Sequence, residues 1–170
     1  IILQHPVTSE IGKNQEHARM LLEAIHEMNM QAIWFWPNVD AGTDEVSKAI
    51  TIFRETVDPP QIRFLIPIAP ERFIGLLKKS QCLVGNSSTG IKECSYFGVP
   101  AVNVGTREKS RMKAGNVVDV DYDKEEVTKA IQKQLKHGKY KKNLTYYHKG
   151  TSEKINKILA EIPLYTQKKF

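Results

Sequence analysis

The sequence predicts an α/β fold in which a parallel β-sheet is covered by helices on both faces. Short apolar runs alternate with longer amphipathic segments along the 170 residues, and this alternation is typical of sheets built from strand–helix–strand units. Small and polar residues follow the apolar runs, as expected where loops leave the carboxyl ends of strands. With 41% hydrophobic residues, the chain can form one domain with a substantial core.

The predicted strands are six short apolar runs. They are Ile1–Gln4, Ala32–Trp36, Ile62–Leu65, Cys82–Val84, Ala101–Val104 and Val117–Val120. Trp34 and Trp36 alternate with Phe35 in the second run. Stacking of these rings on a sugar or a base is one interpretation, but core packing is favoured.

The predicted helices are six amphipathic segments that separate or follow these runs. They are Asn14–Met28, Asp44–Glu55, Pro70–Lys79, Thr89–Phe97, Lys124–Lys136 and Thr151–Ala160. Asp123 and Glu126 form a capping-box pair at the start of the fifth helix. Gly98, followed closely by Pro100, ends the fourth helix before the next strand.

Charge and cysteine content exclude several classes of function. The net charge is +6 and the excess lies in residues 107–170, but few aromatic residues are interspersed, so we interpret it as a solvated helix face rather than a nucleic-acid surface. Cys82 and Cys94 are expected to be buried, reduced side chains in a cytoplasmic setting. No His or Cys stands at metal-ligand spacing. No membrane span or signal peptide is recognisable either.

The segment Gly85–Glu93 is the most informative motif. It follows a predicted strand, contains two serines and a threonine, and leads into a helix. Free N–H groups at a helix N-terminus and the helix dipole favour anions, and small hydroxyl residues cap the helix and add donors without bulk. This layout predicts a site for a phosphate ester, such as a nucleotide or a sugar-nucleotide.

Four strings together resemble the hydrolysing branch of the UDP-N-acetylglucosamine 2-epimerases, which serves sialic-acid and related nonulosonic-acid synthesis. They are His5–Thr8, Pro37–Gly42, Gly85–Glu93 and Gly98–Arg107. The non-hydrolysing epimerases carry a His-Arg pair and an Asp-Ser-Gly-Gly type loop at the places of His5-Pro6 and Asn86–Ser88. The resemblance implies a Rossmann-like nucleotide-binding domain, which is one half of a two-domain GT-B-like fold.

The resemblance also implies which residues hold UDP and the substrate UDP-N-acetylglucosamine, with no cofactor. Ser87 and Ser88 would bind the diphosphate, and Arg107 would offer its planar guanidinium to the phosphates. Glu93 would accept both ribose hydroxyls, because a carboxylate has two oxygens suited to a cis-diol. Lys109 and Arg111 are expected to be surface charges.

Three further roles follow from the resemblance, each with a structural alternative. Asn38 would contact the ligand, or it would only form a turn. Ile68 would pack against the uracil, or it would belong to the core. His5, as a neutral or cationic imidazole, would contact phosphate or assist proton transfer, or it would be a structural residue before Pro6. The remaining histidines, His17 among them, are expected at the surface.

The family reaction would remove the C2 proton of the sugar, expel UDP from C1 and add water to give N-acetylmannosamine. The carboxylates that move protons would lie largely in an N-terminal half. Because the sequence starts at Ile1 within a predicted strand, we expect residues 1–170 to be the C-terminal half of a longer, homo-oligomeric enzyme and inactive alone. A half of a GT-B glycosyltransferase and a non-catalytic nucleotide-binding module are the alternatives.

Overall fold

A computed structural model describes residues 1–163, and in them six parallel strands form one sheet. The strands are β1 (Ile2–Leu3), β2 (Ala32–Phe35), β3 (Ile62–Leu65), β4 (Leu83–Gly85), β5 (Ala101–Val104) and β6 (Val117–Val120). Their spatial order is β3-β2-β1-β4-β5-β6, which is the order of a Rossmann fold with a topological switch point between β1 and β4. The predicted fold class is confirmed.

Six α-helices connect or follow these strands in residues 1–163. They are α1 (Asn14–Glu27), α2 (Thr43–Val57), α3 (Pro70–Lys79), α4 (Glu93–Phe97), α5 (Lys124–His137) and α6 (Thr151–Glu161). One-turn 3₁₀ helices lie at Thr8–Glu10 and Ser88–Gly90. One apolar cluster buries side chains of α1, α2 and α5 against the sheet, and a second buries side chains of α3 and α4. The sheet is therefore covered on both faces.

The fourth predicted helix differs from the structure. Instead of a continuous helix over Thr89–Phe97, a 3₁₀ turn is followed by the short α4. Side chains occupy the carbonyls that a continuous helix would use: Asn116 donates from Nδ2 to the Gly90 carbonyl at 3.2 Å, and the Ser95 hydroxyl donates to the Ile91 carbonyl at 2.7 Å. Such bonds compete with regular helical pairing.

Trp34 and both cysteines are buried in the core. Trp34 is fully buried in the larger apolar cluster, so core packing is confirmed for it. Cys82 and Cys94 are free and buried. Desolvation raises the pKa of the Cys82 thiol to about 12 and also raises that of Cys94. Both thiols are therefore protonated and chemically inert at neutral pH.

The segment between α5 and α6, residues 138–150, crosses the end of α4. The Tyr140 N–H donates to the Gly98 carbonyl at 2.8 Å, and the Asn143 N–H donates to the Ser95 carbonyl at 2.9 Å. Gly98 has φ +67°, and a Cβ there would lie 2.1 Å from the Tyr140 carbonyl oxygen. We call residues 138–150 the α4 strap, because they anchor the C-terminal end of that helix.

Helix α6 lies apart from both apolar clusters and buries none of its side chains. Its apolar side chains, Ile155, Ile158 and Leu159, are about half exposed. Among the residues that the structure describes, no helix combines the length and the apolar character needed to cross a membrane.

Replacement of Gly85 by Ala should destabilise the protein strongly. Gly85 has φ +128°, and an added Cβ would lie 2.2 Å from the Leu3 carbonyl oxygen in the neighbouring strand. Left-handed strain together with a backbone clash should lower the free energy of unfolding by at least about 3 kcal/mol. Urea denaturation followed by circular dichroism measures this loss.

Gly12→Ala is the matched control for this substitution. Gly12 also has a positive φ, of +91°, but its Cβ would meet nothing within 4 Å. Its replacement should cost about 1 kcal/mol, which is the conformational term alone. Equal losses for the two variants would show that the contact between Gly85 and Leu3 is not what restricts position 85.

Candidate functional site

The candidate site lies where the loops after β1, β2, β4 and β5 meet at the carboxyl edge of the sheet. These loops bring together His5, Asn38, Asn86 and Arg107, which are joined by hydrogen bonds. In open α/β sheets ligands bind in the crevice beyond the carboxyl ends of the strands, next to the switch point. Three of the four residues, Asn86 being the exception, are among those that the sequence predicts for the site.

Asn86 connects the ends of β1 and β4. Its Oδ1 accepts from the His5 N–H at 2.7 Å, and its Nδ2 donates to the His5 carbonyl at 2.8 Å. The backbone N–H of Asn86 donates to the Leu3 carbonyl at 3.0 Å. Asn86 is completely buried, so these bonds are made without competition from water, and they fix His5 beside the motif.

His5 is held as a neutral imidazole. The Asn38 N–H donates to Nδ1 of His5 at 3.2 Å, so Nε2 carries the ring proton. Burial, and next the Arg107 guanidinium, lower the pKa of His5 to about 4, while Asp40 acts in the opposite direction. At neutral pH His5 can therefore donate one hydrogen bond through Nε2, and the cationic form expected as one option from the sequence is disfavoured.

The Arg107 side chain extends across the switch point towards the motif. Its Nη1 donates to the Asn86 carbonyl at 3.2 Å. Nη1 also lies 3.5 Å from the Glu108 carboxylate, and Nη2 lies 3.8 Å from that of Asp40. The side chain is 29% exposed, so it is partly accessible to solvent. A partly exposed, oriented guanidinium can bind an anion.

The serines of the motif offer donors beside Arg107. Ser87 caps the 3₁₀ turn, since its Oγ accepts from the Thr89 N–H at 3.3 Å. The N–H groups of Ser87 and Ser88 find no acceptor in residues 1–163. Glu93 begins α4, is half-buried, and makes no ion pair or hydrogen bond through its carboxylate in the same range. These groups remain available to a ligand.

The structure does not place the side chains of Asn38 and Ile68 among the bonded residues. Asn38 contributes its backbone N–H to His5, and its side chain is exposed. Ile68 follows β3 and is half-buried against the second apolar cluster. Contact of Asn38 with a ligand stays a prediction, and so does contact of Ile68 with a base.

Several buried polar residues near the site have no role in the sequence-based interpretation. Glu108 is 2% exposed and faces two arginines, with Oε2 3.1 Å from Nε of Arg111. The sequence predicts His17 as a free surface residue. In the structure its ring instead stacks on Tyr122 at a centroid distance of 3.5 Å. Glu108 and Tyr122 follow predicted strand ends, whereas no local pattern marks His17.

The structure also contains a cavity at the opposite edge of the sheet from the candidate site. A cavity of about 680 Å³ opens at the amino ends of the central strands, where Met30, Arg63 and Cys82 line it. The bonded residues of the candidate site follow the carboxyl ends of the strands instead. No cluster of three or more potential metal-ligating side chains occurs among the residues that the structure describes.

Comparison with known proteins gives the family of this chain. The family model described as UDP-N-acetylglucosamine 2-epimerase matches residues 1–160. A UDP-N,N'-diacetylbacillosamine 2-epimerase (hydrolyzing) of Legionella pneumophila is 31% identical over 98% of this chain and 44% of its own length. A UDP-N-acetylglucosamine 2-epimerase of Neisseria meningitidis serogroup B is 32% identical over 95% of this chain and 42% of its own length. The chain thus spans less than half the length of these relatives.

A solved structure has the same fold. The UDP-GlcNAc 2-epimerase of Methanocaldococcus jannaschii, crystallised in complex with UDP-GlcNAc and UDP, superimposes with a TM-score of 0.71 at 20% identity. The match covers 94% of this chain and 44% of that chain. The predicted relation to one half of a GT-B-like fold is confirmed.

The low pKa of His5 predicts a loss of stability in acid. In the unfolded chain His5 takes up a proton near its ordinary pKa of 6.5, whereas the folded protein resists protonation until about pH 4. Acid between these values therefore favours unfolding. From pH 7 to pH 5, His5 should remove about 2 kcal/mol from the free energy of unfolding. Urea denaturation at the two pH values measures it.

His5→Asn is the control, because an amide oxygen can accept from the Asn38 N–H without titrating. Other titrating groups, His17 included, are common to both proteins. The pH-dependent loss should therefore be smaller in His5→Asn by about the amount assigned to His5. If both proteins lose the same stability between pH 7 and pH 5, His5 is not held neutral.

Proposed function

Because the chain belongs to the UDP-N-acetylglucosamine 2-epimerase family, we propose that residues 1–170 are the nucleotide-binding half of such an enzyme. The family model covers residues 1–160, while the relatives are more than twice as long. In this proposal a second, N-terminal domain faces the carboxyl edge of the sheet and supplies most of the proton-transferring groups. The isolated chain would then bind nucleotide weakly and have no epimerase activity.

The observation that carries the proposal is the juxtaposition of Arg107 with free backbone donors. The guanidinium is anchored on the Asn86 carbonyl, and the next two residues, Ser87 and Ser88, present N–H groups and hydroxyls without an acceptor in residues 1–163. A diphosphate needs a cation and several donors at fixed positions. His5 adds one more donor through Nε2.

The remaining assignments rest on the family resemblance and on exposure. Glu93 would accept the two ribose hydroxyls, since its half-buried carboxylate is not engaged by other residues in 1–163. Ile68 would pack against the uracil, and Asn38 would reach the ligand from the loop after β2. Together these residues would hold UDP along the carboxyl edge.

The role of this half in the reaction is to stabilise the leaving group. The C2 proton of UDP-N-acetylglucosamine passes to a base, a C1–C2 double bond forms, and the C1–O bond breaks as UDP departs. Water then adds its oxygen to C1 while a proton returns to C2 on the opposite face, which gives N-acetylmannosamine. Arg107, the amides of Ser87 and Ser88, and neutral His5 would stabilise the negative charge that develops on the diphosphate.

Two observations support the hydrolysing branch. The chain carries His5-Pro6 and Asn86-Ser87-Ser88 where the non-hydrolysing enzymes differ, and the relative from Legionella is described as hydrolysing. UDP-N-acetylglucosamine is the proposed substrate, and the product would serve the synthesis of sialic or related nonulosonic acids. A diacetamido sugar is the competing substrate, as in the name of that relative.

Titration with UDP tests the binding site directly. In ¹⁵N-labelled protein the amide signals of Ser87, Ser88, Glu93 and Arg107 should shift in a saturable manner at millimolar UDP, because these residues would surround the nucleotide. Arg107→Ala should weaken binding at least about tenfold through loss of charge-assisted hydrogen bonds. If the four signals stay unmoved in the wild type, the assignment of the site is wrong.

A deoxynucleotide separates the ribose contact from the phosphate contacts. Glu93→Gln should weaken binding of UDP but leave binding of 2′,3′-dideoxy-UDP unchanged, because that ligand lacks the diol. A loss of affinity for both nucleotides would place Glu93 elsewhere than at the ribose.

Product analysis of the full-length protein that carries this chain tests the reaction. With UDP-N-acetylglucosamine alone, proton NMR should show free N-acetylmannosamine and UDP in equal amounts, because water is the second reactant. UDP-N-acetylmannosamine as the product would contradict the hydrolysing branch. Turnover that requires an added sugar acceptor would identify a glycosyltransferase instead.

A further inference from the structure

We propose that Glu10 and Thr106 are positioning residues that hold the Arg107 loop against the loop after β1. The proposal rests on the proposed binding of a diphosphate by Arg107 and adds the contact that orients this arginine. The two residues lie far apart in sequence, Glu10 in the first 3₁₀ turn and Thr106 two residues after the end of β5. Neither belongs to the Gly85–Glu93 motif.

The first contact is a hydrogen bond between the two loops. The Thr106 hydroxyl donates to Oε1 of Glu10, and the other carboxylate oxygen of Glu10 lies 3.3 Å from Nδ1 of His17 in α1. Glu10 thus lies between α1 and the loop after β5, and its hydrogen bond with Thr106 joins the loops after β1 and β5. Hydrogen bonds to a charged group are among the stronger ones in proteins.

The stacked rings of His17 and Tyr122 support the same contact between the two loops. The His17 ring lies parallel to that of Tyr122, with an interplanar angle of 9°. Tyr122, which follows β6, occupies the space beside Gly105, where a Cβ would lie 2.2 Å from its ring. Gly105 is thus the residue that lets the β5 loop approach Tyr122. We call Glu10, His17, Thr106 and Tyr122 the loop clasp.

The loop clasp closes a ring of contacts around the site. Arg107 is bonded through its side chain to the Asn86 carbonyl, and Asn86 is bonded to His5. The chain runs from His5 to Glu10 within a few residues, and Glu10 holds Thr106, the residue before Arg107. Arg107 is consequently held through its own side chain by one loop and, through the preceding residue Thr106, by another.

Thr106→Val and Thr106→Ser form the test pair. Thr106 is exposed, so neither change should disturb the core. Valine keeps the shape but removes the hydroxyl, and it should raise the Kd for UDP about fivefold, because a looser Arg107 pays more ordering entropy on binding. Serine keeps the hydroxyl and should restore the wild-type Kd. Binding of uridine, which lacks phosphates, should be the same in all three proteins.

A double-mutant cycle with Glu10→Ala, which removes the acceptor, shows whether the two residues act as a pair. If they do, Thr106→Val should have little further effect in the Glu10→Ala background. Additive effects would contradict the clasp. So would a Thr106→Val protein that binds UDP as the wild type does, or one that loses uridine binding equally.

A measurement without ligand separates this proposal from the proposed function. The ¹⁵N heteronuclear NOE of the Arg107 backbone amide and of its Nε should fall in Thr106→Val and stay high in Thr106→Ser. If the wild type fails to bind UDP but this pattern appears, the clasp stands and the nucleotide assignment fails. If Arg107 is equally ordered in all proteins, the clasp is wrong whether or not UDP binds.

Discussion

The side chain of Asn86 takes the place of a peptide group between two strands that separate. At the switch point β1 and β4 run side by side, but the chains diverge beyond their carboxyl ends. One buried amide donates to the His5 carbonyl and accepts from the His5 N–H, so neither main-chain group is left without a partner in a dry environment. The position of His5, the anchor point for Arg107 and the start of the serine turn all depend on this pair of bonds.

The electrostatic character of the site follows from that arrangement. His5 stays neutral because it is buried beside a guanidinium, while the Arg107 guanidinium is flanked by the carboxylates of Asp40 and Glu108 at 3.8 and 3.5 Å. The arginine is thus oriented before any ligand arrives. Fixed donors of this kind lower the entropic cost of binding and are the usual means of stabilising charge that develops on a leaving group.

The parts of the fold that follow from local sequence could be predicted, and those that depend on distant contacts could not. Strand positions follow from apolar runs, and the start of α5 follows from Asp123, whose side chain caps the Glu126 N–H at 2.9 Å. The break before α4 depends on Asn116, which binds the Gly90 carbonyl from 26 residues away. The same holds for the site: the motif marks its place, but the partner of Asn86 is 81 residues away. The protonation of His5 depends on burial, which no local pattern encodes.

The α4 strap makes a local motif dependent on the completed chain. A helix of five residues has too few internal hydrogen bonds to persist by itself, and here its last turn is bonded to Tyr140 and Asn143. During synthesis Glu93 leaves the ribosome some fifty residues before those partners do. The turn that would carry the ribose contact can therefore become ordered only late in translation, after the strands on either side of it have already been made.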